Sequence, residues 1–380
     1  MSALINEFLR KCVVKVQAKA EGITVVMGNE GGDMDSIVGS IYLAYFFEHS
    51  RKYKIQNPVP AINFPLEDLP LRNDVNNFLK ELGIEASNLI TLVKSNEGCF
   101  CDINTAKLVL YDHNKLIDAQ QCGCNNVIGV VDHHFDEQLY VDQTKDLRII
   151  RTVGSASTLV AELYRDEDMT VPCPILLSAP IIQDTVNFEP AQKKVTPADV
   201  SVYEWLEKGF TEKIDPKALH KKLSKWKNDV LSLTVEQNLK RDYKNFNYDV
   251  HVLKKKLSTG ISSVPCSYFE FEEAYTLDGI FNSCQKYYKD KDLESIIIAF
   301  AGKRNGVHSR QIAFFAPNDA MNCFLSYARS EPSNIKFTEI GKKESTPFSL
   351  IAFSLSDPAV SRKRLAPSLA AFLEKGESSL

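Results

Sequence analysis

Short apolar runs recur through the first half of the chain, at 23–27 (ITVVM), 59–64, 89–94, 107–111 (KLVLY) and 127–131 (VIGVV). Rich in Val, Ile and Leu, they read as buried strands, and the segments between them, such as 36–49 and 68–82, read as helices. The alternation predicts an α/β domain with a doubly wound, mostly parallel sheet. In such sheets ligands bind beyond the carboxyl ends of the strands. The pattern changes after Asp184. From about 196 to 239 the chain is helical in character and rich in Lys; from Asp249 onward strand signals return, at 295–300 (SIIIAF), 311–315 and 348–353. A smaller α+β domain is expected there, giving domains at 1–225 and 226–380.

The 380 residues suffice for two ordinary domains. With 44% hydrophobic and 25% charged residues, the composition is that of a soluble globular protein that buries its own core. A formal charge of −4 argues against a general nucleic-acid binder. It leaves room for a local basic pocket. No apolar stretch reaches the roughly 18 residues of a membrane span; residues 1–22 mix charges into an amphipathic helix pattern without a secretory apolar core, and Glu7 and Glu21 count against a mitochondrial presequence. A cytoplasmic monomer without membrane or nucleic-acid partners is the expectation. The nine cysteines include two C-x-C pairs, Cys99/Cys101 and Cys122/Cys124, whose spacing is shorter than that of structural zinc sites. Reduced thiols are the simpler reading.

Chemistry gathers in four motifs, each read as directly following a strand. They are GNEGGDMDS with Asn29, Asp33 and Asp35; LVLYDHN with Asp112, His113 and Asn114; VIGVVDHHF with Asp132, His133 and His134; and APIIQDTVNF with Asp184. One carboxylate in such a place is usually a helix cap, and Asp33 alone would be read that way. A set spread over four motifs is harder to explain by capping, because burying carboxylates is costly unless they are paired or bound to metal. Oxygen and imidazole donors suit Mg²⁺ or Mn²⁺.

The order DxDS, DHN, DHH, DT resembles the DHH phosphoesterase superfamily. The second half, through LKRDYKNF with Lys244 and SRKRLAPSL with Arg362, Lys363 and Arg364, resembles the DHHA2 domain of family II pyrophosphatases, yeast-type exopolyphosphatases and prune proteins. The resemblance implies a metal-dependent phosphoanhydride hydrolase with two divalent ions and an active site in the cleft between the domains. Asp112 would bridge the ions, Asp33 would complete one, and Asp35, His133 and Asp184 would hold the other. Asp132 would orient the imidazole of His133, and His134 would face the substrate. Lys244, Arg362 and Lys363 would bind phosphate, with His308 and Arg310 of the GKRNGVHSRQ segment as further candidates.

Where family II pyrophosphatases have His, this chain has Asn29, as yeast-type exopolyphosphatases and prune proteins do. An amide is a weaker donor than imidazole, which shifts the preference from Mn²⁺ toward Mg²⁺, and the resemblance at Asn29 implies inorganic polyphosphate as the substrate. Release of terminal orthophosphate is the leading expectation. Pyrophosphatase is the nearest alternative, followed by a prune-like phosphodiesterase or adaptor. A RecJ-like nuclease is disfavoured by the lack of a GGGH motif. Three further readings stay open: Arg72 at the site or in a surface ion pair, the N–H groups of 154–158 as anion donors, and the run 254–256 as a solvated edge.

Overall fold

The computed structural model describes residues 2–304 and 306–375. By its internal contacts the chain divides into two units, Met1–Lys227 and Asn228–Leu380.

In the first unit the elements run α1 (Ser2–Gln17), β1 (Thr24–Met27), α2 (Met34–His49), β2 (Pro58–Ile62), α3 (Asn73–Glu81), β3 (Ile90–Thr91), β4 (Cys99–Phe100), β5 (Lys107–Tyr111), β6 (Val127–Asp132), α4 (Val141–Thr144), β7 (Arg148–Ile150), α5 (Ala156–Asp166), α6 (Pro174–Asp184), α7 (Pro197–Glu207) and α8 (Pro216–Asn228). The seven strands pair in parallel in the order β4-β3-β2-β1-β5-β6-β7. Successive strands build outward from β1 on one side and from β5 on the other, so the winding reverses between these two. At such a switch point the loops leaving neighbouring strands part and leave a crevice. The loop after β1 carries Asp33 and Asp35, and Asp112 directly follows β5.

Helix α2 is buried nearly all round and packs on β1, β2, α5 and α6. Asp33 caps it, accepting a hydrogen bond from the Ser36 amide at 3.0 Å. Gly39 in its middle lies against the Tyr111 hydroxyl, where a Cβ would collide.

The structure departs from the sequence reading in three places here. Asp184 ends a helix, α6, rather than following a strand. PILLSAPIIQD is apolar on every face, and a short run of that kind fits a buried helix as well as a buried strand; Pro174 in the first turn settles the helix start. The 89–94 run pairs only at Ile90–Thr91. The 68–82 segment is broken into a 3₁₀ turn at Leu66–Leu71, with Pro70 inside, and α3.

The second unit contains α9 (Val235–Arg241), β8 (Tyr243–Val250), β9 (Lys255–Val264), α10 (Tyr268–Tyr275), α11 (Leu277–Asp290), β10 (Ser295–Arg304), β11 (Val307–Pro317), α12 (Asn318–Arg329), β12 (Phe337–Ser345), β13 (Phe348–Leu355) and α13 (Arg362–Lys375). Its six-stranded sheet, β12-β13-β11-β10-β9-β8, is antiparallel except for the β9–β10 pair. Alternate residues feed two cores. Ile297, Ile312 and Phe314 pack with α12 and α13, while Ile296, Ile298, Phe300 and Phe315 pack with α9, α10 and α11. Strands begin at Tyr243, earlier than the pattern from Asp249 suggested, and Lys255 and Lys256 open β9, with Lys254 to Lys256 exposed to solvent as expected. The strands missed, β8, β9 and β12, are short of apolar residues, and β8 and β12 are the sheet's edges. Among the described residues no helix is long and apolar enough to cross a membrane.

Candidate metal centre

The crevice at the switch point is a cavity of about 470 Å³ lined by Asn29, Asp33, Asp35, Asp112, His133, His134 and Asp184, with Lys193, Lys194 and Lys227 also on its wall. All the expected metal-site positions therefore open into one space within the first unit.

Asp112 is its most constrained member. It is 2% exposed and sits in the left-handed region at φ 60, unfavourable for a residue with a Cβ. Oδ2 accepts from Ser36 Oγ at 2.7 Å and Asn29 Nδ2 at 2.8 Å. Oδ1 faces His133 Nε2 at 3.3 Å. Burial and the charge of Asp35 push its carboxyl up to about 7.

Asp35, also 2% exposed, accepts from the Ala156 amide (2.6 Å), the Ser157 amide (2.9 Å) and hydroxyl (2.6 Å), and the Tyr111 hydroxyl (3.0 Å). The amides at the start of α5, read as possible donors to an external anion, are thus taken by a carboxylate of the same chain. Gly39 is what lets Tyr111 reach it. Asp184 makes no side-chain hydrogen bond among the described residues, and burial with Asp35 and Asp33 nearby raises its carboxyl well above the ordinary range.

The two histidines are held differently. His133 Nδ1 meets the Val153 carbonyl at 2.9 Å. A carbonyl only accepts, so Nδ1 carries the hydrogen and Nε2 is aimed at Asp112. An imidazole lone pair facing a carboxylate needs a cation between them, a proton or a metal. Burial opposes protonation, yet Asp112 and Asp35 outweigh it and push His133 up to about 10. His134 Nδ1 bonds Asp132 Oδ1 at 2.8 Å and leaves the ring largely exposed. Asp132 is fully buried, takes the amides of His133 and His134 and the amide nitrogen of Asn114, and so orients His134; the His133 ring is oriented by Val153 instead. Burial works to raise Asp132, but its hydrogen bonds from His134 and Asn114 win and lower it. The reason is local: Asp132 ends β6, and its carboxylate folds back over the next two residues.

Asn29 stands next to Asp112 but gives its Nδ2 to that carboxylate, while its oxygen accepts from the Gly32 amide at 3.0 Å. In this arrangement it braces a ligand instead of offering an oxygen. Among the described residues Arg72 neither lines the cavity nor joins an ion pair. Its guanidinium lies 3.9 Å over the Phe64 ring and donates to the carbonyls of Glu30 and Gly31, stiffening the first motif's loop. Ser36, Tyr111 and Lys193–Lys194 were missed. The Ser of DxDS was on view as a motif letter, whereas the contact of Tyr111 with Asp35 and the place of Lys193 and Lys194 on the wall are encoded by no local pattern.

The donor set suits hard divalent cations: carboxylate oxygens with the imidazoles of His133 and His134, and no thiolate on the wall. One ligand atom each from Asp112, His133 and His134 already lie within 4.8 Å of one another.

The basic candidates belong to the second unit. Arg362, the first residue of α13, pairs with Asp242 at 2.7 Å and donates to the backbone of Asp242 and Ile261. Ile261 is the register partner of Lys244, so Arg362 and Lys244 neighbour one another at the start of β8. Arg310 donates to the Pro358 carbonyl, four residues before Arg362. His308 and Arg310 lie on β11, not in a loop, and His308 is farther along the hairpin opposite Lys303. Lys363 is exposed. These side chains mark one end of the second sheet.

The DHH family, N-terminal domain, matches residues 23–179, and the DHHA2 domain matches 221–372. The chain belongs to the DHH family and carries a DHHA2 domain. The rat exopolyphosphatase PRUNE1 is 28% identical over 96% of this chain and 78% of its own length. A Schizosaccharomyces pombe protein named provisionally as an exopolyphosphatase is 22% identical over 93% of this chain and 91% of its own. A Methanococcus jannaschii crystal structure, titled provisionally as a family II inorganic pyrophosphatase, is 21% identical, covers 92% of this chain and 99% of that one, and has a TM-score of 0.44.

Proposed function

We propose that this DHH protein is a metal-dependent exopolyphosphatase that releases terminal orthophosphate from inorganic polyphosphate. The observation that carries it is the single cavity into which Asp33, Asp35, Asp112, His133 and Asp184 open, with hydrogen bonds already placed behind the ligands. The names of the rat and fission-yeast relatives support the substrate class.

Two divalent ions, Mg²⁺ or Mn²⁺, fit the four carboxylates of the wall in charge, 4 × −1 against 2 × +2. Asp33, Asp35, Asp112, His133 and Asp184 would hold them. When bound, such ions lower the pKa of a water and neutralise phosphate charge. The chain's own groups do the rest. Ser36 and Asn29 hold Asp112, Val153 fixes the tautomer of His133, and Asp132 accepts from Nδ1 of His134 and favours its imidazolium form, whose Nε2–H can pass a proton to the leaving phosphate. Phosphoryl transfer requires positioning and charge neutralisation more than covalent help. Lys244, His308, Arg310, Arg362 and Lys363 are the substrate-binding groups of this reading.

The test is phosphate release with Mg²⁺ from pyrophosphate, tripolyphosphate and long-chain polyphosphate, side by side. Higher kcat/KM on tripolyphosphate or longer chains is expected. Pyrophosphate as the best substrate would replace this reading with an inorganic pyrophosphatase.

A further inference from the structure

The acidic cavity has a basic rim supplied by the same unit. Lys193 and Lys194 line it and are exposed, whereas Asp35 and Asp112 are each 2% exposed. Neither lysine joins an ion pair among the described residues. Unpaired surface lysines are ordinary, but this segment is not free to wander. Asp199, fully buried, accepts from the amide and hydroxyl of Thr196 at 2.7 Å each, from Thr158 Oγ1 at 2.6 Å and from the Gly154 amide at 2.9 Å. Gly154 packs so closely that a Cβ there would come within 2.6 Å of the Lys194 carbonyl. Gly154 follows Val153, whose carbonyl orients His133. The lysine backbone is thus tied to the wall that carries a candidate metal ligand.

Once two divalent ions balance the carboxylates, the charge on these lysines is left for an anion. We infer that Lys193 and Lys194 form a subsite for the phosphates beyond the leaving one, from the third of the chain onward, so that the first unit itself contributes to selection of chains over pyrophosphate. This rests on the proposed phosphohydrolase activity. The depth order supports it: the terminal phosphoryl goes inward to the buried acids, and the following phosphates remain at the exposed rim. Lysine suits such a place, being a mobile point charge that accepts successive chain positions without a fixed fork.

The test uses the full chain and the Lys193→Ala/Lys194→Ala double variant. KM for tripolyphosphate should rise about ten- to thirtyfold, kcat should stay within about threefold, and KM for pyrophosphate should change less. The paired Arg replacements, keeping charge, should recover most of the loss. A second arm measures calorimetric binding of a methylene-bridged triphosphate analogue in Mg²⁺, with a tenfold or greater loss expected in the double variant. If the parent turns over none of the phosphate substrates, the activity reading falls, and the binding arm still decides the subsite. Equal KM values or equal analogue affinity in parent and double variant, with Tm unchanged, would overturn it.

Discussion

The two units solve opposite electrostatic problems. In the first, carboxylates are gathered at the switch point of a parallel sheet, and nearly every one is met by donors: Asp35 by four, Asp132 by four, Asp112 by two. In the second, cations sit at one end of a mixed sheet; Lys244, His308 and Lys363 are exposed, and among the described residues Arg362 is the one of these four held by a carboxylate. The difference follows from the cost of charge burial. Anions packed together must be supported before a metal arrives, whereas Lys and Arg keep their charge in water and need support only where direction matters. The acidic unit is therefore preorganised, and the basic one adaptable.

Asp112→Asn attacks the preorganised side at its centre. Asparagine keeps the shape, and its amide nitrogen can donate to His133 Nε2 across the present 3.3 Å, so the fold should survive. We expect kcat to fall by at least about a thousandfold, the scale of losing a metal's charge stabilisation. Activity within a few-fold of the parent, with metals present, would remove Asp112 from the centre.

Gly39→Ala leaves every acid in place and disturbs only the support. The new methyl displaces Tyr111 from Asp35. Overpacking of this kind costs about 1–3 kcal/mol, and kcat/KM should fall by about tenfold or more while Asp35 itself is untouched. Unchanged Tm and kinetics would mean that the network behind Asp35 is dispensable.

On the basic side Arg362→Ala should cost about tenfold in kcat/KM, since a charge-assisted hydrogen bond is worth roughly 1.5–3 kcal/mol. Loss of its pair with Asp242 should lower Tm modestly, because Asp242 is half in solvent while the Arg362 side chain is 14% exposed. Asp242→Asn separates the two roles: it removes the pair, keeps the guanidinium, and should cost less than Arg362→Ala. Equal losses would make Arg362 structural.

The smallest effect is on pH. Asp112 is raised in the fold, from the ordinary 3.8 to about 7, and His133 from 6.5 to about 10. Each raised group contributes stability that is complete below its unfolded pKa and is lost as pH climbs through the folded one. The metal-free protein should therefore lose Tm steadily between about pH 4 and pH 10, and Mg²⁺ or Mn²⁺ should flatten the slope and release protons on binding. A metal-free Tm that rises across pH 5–8 would contradict the crowding of charge described here.

Much of this was legible before the structure. The apolar runs at 23–27, 107–111 and 127–131 mark the central strands β1, β5 and β6, and the acids after them fall at the crevice because a parallel sheet aligns all its carboxyl ends. Asp184 kept its place in the cavity although its run proved helical, since a helix end can deliver a carboxylate as well as a strand end. The supports were hidden. Gly39, Tyr111, Asp199 and Val153 work by proximity across 20 to 76 residues of sequence. The polar strands β8 and β12 were hidden for another reason: an edge strand needs few apolar residues to pair.

The claim on which all this depends is that the first unit's acids form one two-ion site. Manganese binding to the metal-free chain, followed by calorimetry and electron paramagnetic resonance in the parent and in Asp112→Asn, tests it most directly. The account predicts two ions per parent chain with a spin-coupled signal, and at most one uncoupled ion in Asp112→Asn. No binding in the parent, or the same coupled pair in the variant, would contradict it.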